Sequence, residues 1–146
     1  MRILGVDVGR RRVGLAISDP SRTLARPLAT LTVGGAGDAV DRVAGEAARL
    51  AIEEDGLAAV VVGLPRRLDG SANDETARVA RFISRLRAQI AVPVHEEDER
   101  LTSREAESRL AIHDRDWRRR KARIDSAAAA IILQDYLDRL DRPRQR

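Results

Sequence analysis

The stretch ILGVDVGRRRVGLAISD, residues 3–19, decides how the chain is read. Two apolar runs, 2–8 (RILGVDV) and 13–18 (VGLAIS), have the length of strands and are joined by GRRR, a hairpin signal with Gly9 at the turn. The first run nevertheless carries an acid, Asp7, between Val6 and Val8. A carboxylate is costly to bury unless it is paired, hydrogen-bonded or bound to a metal. Asp7 therefore either caps the arginine turn, or serves as a metal ligand or phosphate-site residue, with Gly9 letting the backbone approach a ligand closely.

Working outward, 28–33 (LATLTV) reads as a third strand. From 38 to 54, Val40, Val43, Ala47, Leu50 and Ala51 keep helical spacing, and Gly56 ends the segment. AAVVVGLP, 58–65, is a continuous apolar strand of the kind covered by helices on both faces. After the polar loop 66–74, Asn73 is the expected N-cap of a helix whose stripe is Val79, Phe82, Ile83, Leu86 and Ile90. A strand within 92–98, a short helix from Ser103 to Ile112 and a last helix over 124–140 complete the order. Three opening antiparallel strands followed by α/β alternation imply a mixed five-stranded sheet with helices on both faces. One domain over 1–140 is expected, with 141–146 a flexible basic tail.

Composition narrows the function. There is no cysteine, which excludes disulfides and thiolate metal sites. No apolar run is long enough for a membrane span, and a strand-like run directly after Met1 and Arg2 argues against a signal peptide, so a cytoplasmic protein is expected. The net charge is +4, and all but one of the 27 basic residues, Lys121, are arginines. Arginine suits bidentate phosphate contacts. Aromatics are 2% of the chain, too few for base-stacking platforms, so a nucleic-acid partner would be held through its phosphates.

Three acidic places carry the chemistry. Asp7 is the first. The second is EEDER, 96–100, at the carboxyl end of a strand, where ligands gather in open α/β sheets. Side chains alternate along a strand, so Asp98 and Glu99 cannot both point inward if it continues through them. A solvated loop would also tolerate these acids. The third is Asp125, placed by this reading in the first turn of the last helix, where the macrodipole favours a carboxylate. Asp125 shares a stripe with Ala128, Ala129 and Ile132, a sheet-facing side whose small residues permit close approach. Clustered carboxylates raise one another's pKa unless a cation joins them. Mg²⁺ or Mn²⁺ fits an all-oxygen set, whereas His95 and His113 lack ligand spacing and read as structural or surface residues. Such a cluster on this strand order is the site plan of ribonuclease-H-like nucleases.

Four segments together resemble the YqgF/RuvX family of Holliday-junction-resolvase-like proteins: DVGRRRVGLAISDP (7–20), VVGLPRRLDGS (61–71), DERLTSREAE (98–107) and DSAAAAIILQDYL (125–137). The resemblance implies a ribonuclease-H-like fold and divalent-metal phosphodiester hydrolysis, with pre-16S rRNA as substrate. It places the family's acids on Asp7, on the DER segment, with Glu99 preferred to Asp98, and on Asp125. The first turn, often Gly-Thr-Lys-Arg in that family, is GRRR here, and Arg67 stands where an asparagine is usual.

On this reading Asp7, Glu99 or Asp98, and Asp125 hold one or two ions that activate a water and stabilise the leaving oxygen. Arg11, Arg12 and Arg100 are candidates for phosphate contacts, with ordinary solvated charge as the alternative. RDWRRRKAR, 115–123, which includes Arg119 and Arg120, reads as a mobile contact to the substrate backbone or as a solvated linker. Sugar kinases and actin-like ATPases share the opening pattern but need two such domains. A Holliday-junction resolvase acting on branched DNA and a non-catalytic RNA-binding or transcription-associated module remain alternatives. Both a monomer and a homodimer are compatible with the sequence.

Overall fold

The computed structural model describes residues 1–67, 69–99 and 117–141, with the backbone alone for 117–124. The elements are β1 (Arg2–Val8), β2 (Arg12–Ser18), β3 (Ala25–Thr32), α1 (Ala36–Ala51), β4 (Leu57–Leu64), α2 (Asp74–Gln89), β5 (Val94–Asp98) and α3 (Trp117–Leu140). They build one mixed sheet of five strands in the order β3-β2-β1-β4-β5. β1–β2 and β2–β3 are antiparallel, while β1–β4 and β4–β5 are parallel.

Because side chains alternate along strands, the central strands present two different faces. Leu4, Val6 and Val8 of β1 lie beside Ile17, Leu15 and Val13 of β2, and with Val60, Val62 and Leu64 of β4 they pack against α1 and α2. The apolar stripes of those helices, Val40, Val43, Ala47 and Leu50, then Val79, Phe82, Ile83 and Leu86, are all buried there. The opposite face carries Ile3, Ala16, Ala59 and Val61 and is covered by α3 through Ala129, Ile132, Leu133 and Leu137. Asn73 caps α2 as expected. Its side chain accepts from the Thr76 amide at 2.9 Å, and Thr76 Oγ1 accepts from the Asn73 amide at 3.0 Å, a reciprocal arrangement worth about 1 kcal/mol.

Three elements differ from the sequence reading by more than a residue at an end. β3 begins three residues earlier, at Ala25, and includes Pro27. Proline is tolerated because β3 is an edge strand, and a bulge lies at this point of its pairing with β2. α1 spans 36–51 rather than 38–54. α3 begins at Trp117 rather than 124, so 117–123 is helical backbone. Arginine, lysine and alanine are strong helix formers, and propensity extends the helix through the basic run. The helix expected over 103–112 lies outside the described residues. Among the described residues no helix is long and apolar enough to cross a membrane.

Candidate active site

Asp7 is buried, with 6% of its surface exposed, on the α3 face near the carboxyl end of β1. Its neighbour on β2 is Gly14. On β4, Gly63 follows Val62, the partner of Val6. Two glycines therefore flank the acid on the two adjoining strands.

Both glycines are sites of close approach. A Cβ built on Gly14 would stand 2.0 Å from the carbonyl oxygen of Asp125 and 3.1 Å from the amide nitrogen of Ser126. The α3 backbone thus lies directly on β2 at the position opposite Asp7. A Cβ on Gly63 would stand 2.6 Å from Glu99 Oε1 and 2.6 Å from Ile132 Cδ1, so the Glu99 side chain lies over β4. Gly5 continues the path, where a Cβ would meet Leu133 Cβ at 2.7 Å. Glycine within an apolar strand commonly marks such an approach. The signal was present in VVVGLP and VGLAIS, although sequence reasoning singled out only Gly9. Gly9 itself packs on the Arg12 carbonyl, which accepts its amide at 2.8 Å in the hairpin turn.

The structure separates the two acids of the DER segment. Asp98 pairs with Leu64 and, with Glu96 and Arg66, lines a different cleft of about 200 Å³. Asp125 stands in the third turn of α3 and not the first, whose residues include no acid, so the macrodipole does not account for it.

Asp125 lines a cleft of about 640 Å³ with Val8, Gly9, Arg10, Arg11, Arg12, Glu75 and Arg78. Arg11 and Arg12 thus line the same cleft as Asp125. Arg10, in the GRRR turn itself, was passed over, and Arg78 was not foreseen because only the fold brings α2 to the hairpin. Glu75 holds them: its carboxylate is 2.9 Å from Arg10 and 2.5 Å from Arg78. The Arg78 hydrogen bond, with help from Arg10, keeps the Glu75 carboxyl below its usual range. Arg12 Nη1 is a buried donor without a hydrogen-bond partner among the described residues. Arg100 lies outside those residues, and of Arg119 and Arg120 the structure describes only helical backbone.

Glu97 was overlooked in the sequence, yet it is the most buried acid described, 2% exposed. It shares the α3 face with Glu99 and pairs with Arg139 near the end of α3. Burial pushes its carboxyl up despite that cation, and burial likewise raises neighbouring Asp135. His95 stacks on Tyr136 with ring centroids 5.8 Å apart, a structural role.

The donors expected to hold a divalent ion, Asp7, Glu99 and Asp125, supply oxygen alone, which is the chemistry hard cations require. Asp7 lies near the end of β1, the Asp125 backbone over β2 and the Glu99 side chain over β4. The expected cage is not closed, however: among the described residues no three His, Asp or Glu side chains stand close enough to share an ion. Like-charged carboxylates repel, and here each arrives on a separate element.

The RuvX family model, described as Holliday junction resolvase, matches residues 1–139. A protein of Anaeromyxobacter dehalogenans (strain 2CP-C) named "Putative pre-16S rRNA nuclease" is 44% identical over 140 residues, covering 95% of this chain and 98% of its own. A relative of the same name from Roseiflexus sp. (strain RS-1) is 39% identical over 137 residues, covering 94% of each chain. Among solved structures, T. thermophilus RuvC in complex with a Holliday junction substrate aligns with a TM-score of 0.53 at 17% identity, over 97% of this chain and 96% of that one. That likeness bears on the fold, and the mixed sheet is the ribonuclease-H-like arrangement expected from the sequence. By the family match over nearly its whole length, the chain belongs to the RuvX family.

Proposed function

We propose that this protein is a divalent-metal-dependent nuclease that hydrolyses phosphodiester bonds, with the 5′ region of pre-16S rRNA as its substrate and Mg²⁺ or Mn²⁺ as its cofactor. The observation that carries the reading is the buried Asp7 flanked by Gly14 and Gly63, which admit Asp125 and Glu99 to the same strand end. Family membership and the names of the relatives support it.

Asp7, Glu99 and Asp125 would hold the ion, and Asp98, in its separate cleft, would not. The bound ion would lower the pKa of a water and stabilise charge on the departing oxygen. The chain's own part is to bind and orient. Arg11 and Arg12 stand beside Asp125 in the cleft, where their guanidinium groups would grip the non-bridging oxygens of a phosphate. The buried donor of Arg12 would gain an acceptor there. Glu75 fixes Arg10 and Arg78 at the cleft wall before substrate arrives, which lowers the ordering cost of binding.

The test is cleavage of an end-labelled pre-16S rRNA leader with Mg²⁺, with Mn²⁺ and with chelator, beside Asp7→Asn and Asp125→Asn. A four-way DNA junction is run in parallel. Metal-dependent cutting of the RNA, abolished by both substitutions while binding survives, is expected. Binding without cutting, indifferent to either substitution, would indicate a non-catalytic RNA-binding module. Cutting of the junction alone would move the substrate to branched DNA.

A further inference from the structure

On the other side of the β1–β2 turn lies a second cavity, of about 250 Å³, between α1 and α2. Its wall includes four arginines, Arg10, Arg78, Arg81 and Arg85, and no acid. The last three occupy one side of α2, spaced three and four residues apart, which is helical neighbour spacing. They face the start of α1, where Gly35 and Ala36 line the cavity and no side chain caps the helix. Asp38, in that first turn, accepts from the Gly34 amide at 2.8 Å and does not line the cavity. The Arg85 guanidinium reaches toward α1, 3.6 Å from where a Cβ of Gly37 would lie.

The charges are not balanced locally. Glu75 engages Arg10 and Arg78, but among the described residues Arg81 and Arg85 have no carboxylate partner. Both are exposed, so neither is needed for packing. Arg78 adds a buried Nε without a hydrogen-bond partner, while its Nη2 donates to the Val8 carbonyl at 3.2 Å. Like charges around a small cavity repel one another, and an anion placed between them removes that repulsion. The cavity shares Val8, Gly9, Arg10 and Arg78 with the cleft that holds Asp125. A strand lying in the cleft can therefore continue around the hairpin into the cavity.

We propose that this arginine cavity is a second phosphate subsite, which takes a backbone phosphate of the nucleic-acid strand whose scissile phosphate sits beside Asp7. This rests on the nuclease reading for the strand's identity, but its test does not need cleavage. Phosphate could also arrive on a free nucleotide, so the experiment has two arms.

Binding of a single-stranded RNA oligonucleotide is followed by fluorescence anisotropy across a salt series in chelator, with AMP titrated separately. The full-length protein is compared with Arg81→Gln/Arg85→Gln, with the charge-preserving Arg81→Lys/Arg85→Lys, and with Arg49→Gln. Arg49 pairs with Glu46 on α1, away from both cavities, and serves as the control for lost charge. The glutamine pair is expected to weaken RNA binding about tenfold and to lower the salt slope by about 0.7 for one phosphate. The lysine pair should keep most of the slope, and Arg49→Gln should follow the wild type. Affinity and slope of the glutamine pair equal to those of Arg49→Gln would overturn the proposal, even if metal-dependent cutting is found. Loss of AMP binding with RNA binding unchanged would overturn it too, assigning the cavity to a free nucleotide. Arginine-dependent RNA binding without cutting would leave the subsite standing while the nuclease reading falls.

Discussion

The two faces of the sheet are made from the same strands but to different ends. Toward α1 and α2, β1, β2 and β4 present Leu4, Val6, Val8, Val13, Leu15, Ile17, Val60, Val62 and Leu64. Toward α3 the alternate positions are Ile3, Gly5, Asp7, Gly14, Ala16, Ser18, Ala59, Val61 and Gly63. A buried valine or leucine contributes about 1.5–3 kcal/mol, and a glycine contributes almost none. The α3 face therefore gives up burial energy, and it gains proximity, because backbone meets backbone at Gly14. Of the four buried polar or charged residues among those described, Asp7, Ser18 and Glu97 are on that side and Thr76 is not. The face under α1 and α2 is almost wholly apolar, whereas the face under α3 combines a smaller apolar cluster with buried carboxylates.

That division can be broken from either side. Leu15→Ala, at a fully buried position, should lower stability by about 2–5 kcal/mol in urea unfolding, with cleavage per folded molecule unchanged. Gly14→Ala should lower stability less, by about 1–3 kcal/mol as α3 shifts off β2, and should abolish cleavage. Equal loss of cleavage in both variants would erase the distinction between the faces. Gly63→Ala sharpens it further. The atoms it would meet, Glu99 Oε1 and Ile132 Cδ1, are ends of flexible side chains that can move aside. Stability should fall by under about 1.5 kcal/mol, while cleavage drops because Glu99 is displaced. Full activity in Gly63→Ala would remove Glu99 from the site.

The smallest effect is expected at Asp19, beyond the end of β2 and outside both faces. Its carboxyl is lowered from 3.8 to about 2 by the Ser21 hydroxyl, then by the amides of Leu24 and Thr23. A depressed carboxylate stabilises the fold above its ordinary pKa, and that contribution is lost as pH falls through the folded value. Asp19→Asn should flatten the acid limb of the stability profile between about pH 4 and pH 2 and leave cleavage untouched.

Much of this was legible in the chain. The apolar runs RILGVDV and VGLAIS, joined by the GRRR turn, placed Asp7 on a strand with the correct partner run, and helical spacing found both α1 and α2. Asn73 was readable as a cap because its side chain and the following stripe agree. Less accessible were features that only packing creates. Residues 78, 81 and 85 meet the β1–β2 turn through tertiary approach, which no local pattern encodes. Glu97 and Asp98 are adjacent acids with opposite orientations, and only the register Glu97↔Gly63, Asp98↔Leu64 tells them apart. The start of α3 was misplaced because a run of like charges reads as a linker, although its residues favour helix.

The most direct measurement is Asp7→Asn carried through two assays on one preparation, thermal unfolding and single-turnover cleavage of the pre-16S rRNA leader. A carboxylate kept in the core for chemistry should be dispensable for folding. The expected result is loss of cleavage with stability equal to or above that of the wild type, since a neutral amide avoids the burial of charge. Cleavage retained, with stability lost, would contradict this and make Asp7 a structural residue of the hairpin.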